Sequence, residues 1–261
     1  MMNSSYEFRR AITRKPGKSI VGGLRAEDIG TPDLTRMLEA HAAYVATLRS
    51  TGAEVAELPP LEDYPDAVFV EDTMLCLPEL AITMRPGAPT RMGEVAEMRP
   101  AIAAFYGDRI AEIAAPGTIE GGDILVTGRE ILVGLSARTN REGVAQLSDI
   151  VSEYGYTLRL VETSAGVLHF KTDCGLIGPE TILSTRRLSA SGCFEGYEVL
   201  LVPDGEEAAS NCIRFNNLVI MAAGFPRTAE MLVGHGYEVV EIDNIECAKL
   251  DGGMSCLSLR F

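Results

Sequence analysis

Cys256 stands in the terminal stretch DGGMSCLSLRF and His169 in AGVLHFKTDCG. These are residue types with which a chain can form and discharge a covalent intermediate. A thiol attacks as its thiolate, which needs a base or a cationic neighbour, and an imidazole can fill that role while also moving protons. Acids stand in other short polar stretches: Asp66, Glu71 and Asp72 in DAVFVEDT (66–73), and Glu120 in GTIEGGD (117–123). Carboxylates gathered beside a thiol and an imidazole would hold a cation, and a guanidinium matches them in charge and in its fork of donors. Each acid taken alone reads equally as a turn cap. The remaining histidines have structural readings. His41 shares an apolar helical stripe with Leu34, Leu38, Val45 and Leu48, and His235 sits in the helix-ending turn GHGYEV, where a cation suits the helix C-terminus.

Six cysteines are present, at 76, 174, 193, 212, 247 and 256, with no C-x-x-C pair and no histidine at zinc-ligand spacing from two of them. In a chain of this kind they read as reduced thiols, mostly small core residues. Cys256 departs from that reading only if the fold brings the other candidates to it.

A repeat could do so. A glycine followed by an amphipathic strand recurs five times: TGAEVAEL at Gly52, YGDRIAEI at Gly107, YGYTLRLV at Gly155, EGYEVLLV at Gly196 and HGYEVVEI at Gly236. Each glycine fits the left-handed position that ends a helix. Helix-like segments precede several of them, one opening at Thr31-Pro32 as N-cap and first turn, another running through Val144, Leu147, Val151 and Tyr154. Ahead of these lie paired apolar runs with a turn between: 71–86, 121–136, 173–187 and 210–224. The unit is strand, strand, helix, strand. Five such ββαβ units around an axis bury faces that one cannot, and closure removes free sheet edges. SCLSLRF would then pair with EFRRAITRKP to complete one blade. An open doubly wound sheet would explain the helices but not the hairpins. In a ring, equivalent loops converge at one end of the axis, bringing Asp66, Glu71, Asp72, Glu120, His169 and Cys256 together.

Composition sets the outer bounds. The chain has 261 residues, 46% hydrophobic and 23% charged, with a net charge of −14. That charge argues against nucleic acid and favours a small cationic substrate. No stretch reaches the length of a membrane span, and the N-terminus lacks the apolar region of a secretory signal, so a cytoplasmic protein is expected.

FVEDT, IEGGD, SARTN, LHFK and DGGMSCLSLRF, in this order, closely resemble the dimethylarginine dimethylaminohydrolase family of the guanidine-modifying superfamily. The resemblance implies a five-bladed α/β propeller (pentein), formed as one catalytic domain over 1–261. It implies hydrolysis of Nω-methylated arginine to citrulline and an alkylamine through a covalent thiouronium, with no metal or cofactor. Carried over by motif, Cys256 is the nucleophile, His169 the general acid/base, and Glu120 its partner. Asp66, Glu71 and Asp72 meet the substrate, with Asp72 at the guanidinium. Arg91 (APTRMGE) and Arg138 (LSARTN) take the α-carboxylate, while Leu24 and Leu250 line the pocket. Gly252 and Gly253 suit a backbone that approaches the substrate closely. A homodimer is compatible with the resemblance. The rivals are an arginine deiminase-type enzyme acting on unmethylated arginine and a non-catalytic binding ring of the same fold.

Overall fold

The computed structural model describes residues 5–261. In chain order it contains β1 (Arg10–Arg14), α1 (Leu34–Ser50), β2 (Glu54–Leu58), β3 (Met74–Cys76), β4 (Ala81–Thr83), α2 (Glu94–Tyr106) and β5 (Ile110–Glu112). Next come β6 (Ile124–Val126), β7 (Ile131–Leu135), α3 (Arg141–Ser152), β8 (Leu158–Glu162), β9 (Cys174–Leu176), β10 (Thr181–Ser184), α4 (Arg186–Ser189) and β11 (Glu198–Leu201). The chain ends with β12 (Ile213–Phe215), β13 (Leu218–Ala222), α5 (Pro226–Gly234), β14 (Glu238–Ile242), α6 (Ile245–Ala248) and β15 (Leu259–Arg260). The strands form five three-stranded sheets: β15-β1-β2, β3-β4-β5, β6-β7-β8, β9-β10-β11 and β12-β13-β14. In every sheet the middle strand runs antiparallel to the first and parallel to the third. The parallel step needs a crossover, and the helix supplies it.

The apolar side chains sort into five clusters, each drawn from two adjacent blades. Ile12 and Leu259 pack with Met74, Ala81 and Ile102, and Leu77 and Ile82 with Ile131 and Leu147. Leu125 and Leu132 meet Cys174 and Ile182, and Leu183 meets Cys212 and Val219. Finally Phe215 and Ile220 return to Ala11, Met37 and Tyr44. The sequence of interfaces closes on itself. The last blade is completed as expected, with Ala11 opposite Arg260 and Ile12 opposite Leu259.

All five repeat glycines take positive φ, from +58° at Gly107 to +87° at Gly52, a region costly for any residue with a Cβ. Two local expectations need correction. Thr31-Pro32 does not open α1. Asp33 is the cap, its carboxylate accepting from the amides of Thr35 and Arg36, and an aspartate one residue further on competes successfully with threonine for that role. The buried stripe of α1 is Met37, His41, Tyr44, Val45 and Leu48, whereas Leu38 points outward and is 37% exposed. Likewise α3 ends at Ser152, leaving Tyr154 exposed beyond it. Among the described residues no helix is long and apolar enough to cross a membrane.

Candidate active site

A short helical turn precedes the first strand of each blade: Val70–Thr73, Gly121–Asp123, Phe170–Thr172, Glu207–Ser210 and Ser255–Leu257. These turns touch one another around the axis. Glu71, Gly121, Lys171, Ser210 and Cys256 each stand three residues before their strand, so the symmetry brings them to one level. Of the expected residues, the structure gathers Asp72, Glu120 and His169 most tightly, with donor atoms all within 4.8 Å of one another. His169 Nε2 lies 2.6 Å from Glu120 Oε2. The other Glu120 oxygen accepts from the amides of Gly87 (2.9 Å) and Ala88 (3.3 Å) and lies 3.5 Å from Arg138 Nη1. Asp72 Oδ1 accepts from the Gly122 amide at 2.9 Å. Three such donors could surround a metal ion, but each already has hydrogen-bonding partners here, and their arrangement equally fits an organic cation.

Cys256 lies on the adjoining turn, 8% exposed. Its amide donates to the Gly253 carbonyl at 3.2 Å. Burial, with the nearby charges of Glu71 and Asp72, pushes the thiol up to about 12. Burial by itself would lower His169, but Asp72, the Glu120 hydrogen bond and Asp123 outweigh it and raise the imidazole to about 9. Burial would raise Asp72, yet His169 and Arg91 hold it below the usual carboxylate range. The resting pair is therefore imidazolium and thiol. A cation arriving against the sulfur would favour the thiolate.

Leu24, Asp66 and Leu250 come together as a second group. The Leu24 amide donates to Asp66 Oδ1 at 2.9 Å, and a Cβ on Gly23 would stand 3.1 Å from both Asp66 Oδ1 and Leu250 Cδ1. Burial raises Asp66, with Arg91 and the Leu24 amide opposing it. Two further expected residues are paired within the protein. Glu71 is held by Lys171 Nζ and Arg260 Nη2, both at 2.5 Å from its Oε1. Arg91 is enclosed: it meets Asp72 at 2.5 Å, Glu94 through two nitrogens at 2.8 and 3.0 Å, and the Phe69 carbonyl at 2.9 Å. Its guanidinium is a strut between two buried acids. Arg138 keeps 20% of its side chain exposed. Gly252 and Gly253 approach the side chains of Phe69 and Asn211, where a Cβ would stand 2.4 Å from each. The other two histidines are structural. His41 is buried and pulled down to about 4 by desolvation, and His235 caps α5 through a 2.8 Å contact with the Met231 carbonyl.

The sequence reading gave no role to Asp123, Asn211, Glu94, Lys171 or Arg260. Asp123 accepts from Ser136, Thr139 and the Phe170 amide at 2.6, 2.6 and 2.8 Å, fixing the backbone beside His169. Asn211 accepts from the Ser255 amide at 3.0 Å and steadies the turn of Cys256. Repeat position was the available signal for Lys171, since it aligns with Glu71 and Cys256.

This closed five-bladed α/β propeller, with acids, an imidazole and a thiol on its inner turns, has the form of a guanidine-modifying protein. The family model described as "Arginine deiminase" matches residues 76–162. The N(G),N(G)-dimethylarginine dimethylaminohydrolase of Pseudomonas aeruginosa is 40% identical, over 97% of this chain and 100% of its own. A solved structure of that organism's enzyme, a cysteine-to-serine mutant complexed with citrulline, superposes with a TM-score of 0.95 at 39% identity, covering 98% of this chain and 100% of the other. A histidine-to-glycine variant of dimethylarginine dimethylaminohydrolase, captured as an adduct with S-methyl-L-thiocitrulline, gives 0.94 at 40%, covering 97% and 100%. The chain belongs to the dimethylarginine dimethylaminohydrolase family.

Proposed function

We propose that the protein hydrolyses Nω,Nω-dimethyl-L-arginine and Nω-monomethyl-L-arginine to L-citrulline and the corresponding amine. The observation that carries the assignment of roles is the 2.6 Å contact of His169 with Glu120, made against Asp72 on the turn next to that of Cys256. The substrate guanidinium settles against Asp72 and Glu120, with Asp66 nearby and Leu24 and Leu250 closing the wall. Its charge lowers the thiol pKa, and the Cys256 proton leaves to solvent. The thiolate sulfur then bonds to the guanidinium carbon. Its C–N bond to the methylated nitrogen breaks as the His169 imidazolium donates a proton, and the amine departs. A thiouronium remains on Cys256. Neutral His169 next takes a proton from water, the oxygen attacks the same carbon, and the C–S bond breaks to release the thiolate and an O-protonated urea, which loses its proton to solvent and becomes citrulline. No cofactor enters these steps. Arg138 reads the α-carboxylate, and Arg91 holds Asp72 in place.

The match to an arginine deiminase model favours, as the second reading, action on unmethylated arginine. Measuring urea-group formation from dimethylarginine, monomethylarginine and arginine side by side decides between them. Turnover of the methylated substrates with little from arginine is expected. A preference for arginine would establish the second reading, and no turnover of any would leave a binding ring. The same reading places a homodimer in the cytoplasm, which light scattering and fractionation test.

A further inference from the structure

The axis holds a second feature that this reaction does not use. A cavity of about 690 Å³ runs inside the first strands of the blades, and none of Cys256, His169, Glu120 or Asp72 lines it. Glu71, Gly121 and Lys171, three of the five axial positions, contribute to its wall. Met74, Ile124, Leu176 and Ile213 give it an apolar side. Its charge runs against that of the chain. Six basic residues line it, Arg9, Arg10, Arg109, Lys171, Arg214 and Arg260, against the acids Glu7 and Glu71, in a protein of net charge −14.

Their partners divide them. Glu71 pairs with both Lys171 and Arg260, and Glu54 meets Arg10. Among the described residues Arg109 and Arg214 meet only neutral groups. Arg109 donates to the carbonyls of Pro78 (3.3 Å) and Glu79 (2.7 Å) and lies 5.3 Å over the Tyr106 ring. Arg214 donates to those of Ile177 (2.9 Å) and Asn216 (3.2 Å) and lies 4.2 Å over the Tyr6 ring. Carbonyls and rings hold a guanidinium in place without cancelling its charge, so the order is already present before a ligand comes. Apolar walls concentrate the resulting positive potential.

We propose that this axial cavity binds a small organic anion, its carboxylate or sulfonate head drawn by the charges of Arg109 and Arg214 and its apolar body against Met74, Ile124, Leu176 and Ile213. The probe is 8-anilinonaphthalene-1-sulfonate, an aromatic sulfonate that fluoresces on leaving water, titrated into the full chain at constant ionic strength. One saturable site is expected, and citrulline at saturating concentration does not displace the dye. Arg109→Glu and Arg214→Glu each weaken binding about tenfold or more, by loss of a charge-assisted contact. Arg109→Lys and Arg214→Lys keep most of the affinity. Should a Glu variant fail to fold by circular dichroism, Arg214→Gln replaces it and must bind more weakly than Arg214→Lys. The proposal is overturned by an absence of saturable binding, by indifference to these charges, or by displacement with citrulline, which would put the dye beside Cys256. The dye reports binding directly, so the result stands whether or not dimethylarginine is turned over.

Discussion

At the scale of single residues, the charges found at rest dictate how each site variant should fail. Cys256→Ser is expected to remove turnover without unfolding the chain, because a hydroxyl is a far weaker nucleophile at neutral pH; rate assays and thermal melts test both halves. In His169→Gly, S-methyl-L-thiocitrulline brings its own leaving group, so sulfur attack can proceed while the later water lacks its base. Mass spectrometry should find the adduct accumulating on the C-terminal peptide, and rapid full turnover would free His169 of its role. Arg138→Ala should raise KM about ten- to a hundredfold, the value of a charge-assisted bond of ~1.5–3 kcal/mol. Arg91→Ala should behave differently, since it leaves Asp72 and Glu94 buried without their cation; a stability loss of about 3–5 kcal/mol is expected from denaturant unfolding. His169 is raised to about 9 in the folded protein. Its stabilising charge is complete below its ordinary value near 6.5 and is lost as pH climbs through about 9. Melting temperatures of wild type and His169→Gly should therefore converge across that window, and kcat/KM should fall on its alkaline side as the acid is lost.

At the scale of elements, the turns matter more than the helices. A Cβ on Gly122 would stand 2.5 Å from His169 Nδ1 and 3.0 Å from Asp72 Oδ1. Gly122→Ala should displace the imidazole and lower kcat about a hundredfold, the cost of an ångström of misplacement, while melts remain cooperative. Much at this scale was legible in the chain. The repeat glycines mark where helices end because few other residues tolerate that backbone, and alternating apolar runs mark the hairpins. Caps were less legible, as Asp33 shows, because neighbouring Thr and Asp are chemically interchangeable there. Stripes were misread where helix phase was set by Met37 and Tyr44 packing on another blade. The ion pair of Arg260 with Glu71 joins residues 189 positions apart, a separation that no local pattern spans. Arg91 could be placed near the site by motif, but whether it faces ligand or protein depends on Glu94, an ordinary acid in the first turn of α2.

At the scale of the whole molecule, the ring closes through β1 and β15, and the cluster of Ile12 and Leu259 with Met74 and Ala81 seals that closure. Leu259→Asp should put an unpaired carboxylate into this interface, and denaturant unfolding should record a loss of several kcal/mol, if a folded protein is recovered at all. The closing strand follows the four other blades in the chain, and the turn of Cys256 lies immediately before it. A nascent chain can build the four other blades in order from neighbouring residues, but the pairing of Ala11 with Arg260 must wait until those four have been made. The sulfur is thus delivered together with the strand that locks the ring. A product terminated before Cys256 carries His169 and the acids without the proposed nucleophile, so translation itself withholds that thiol until the pocket around it has been made.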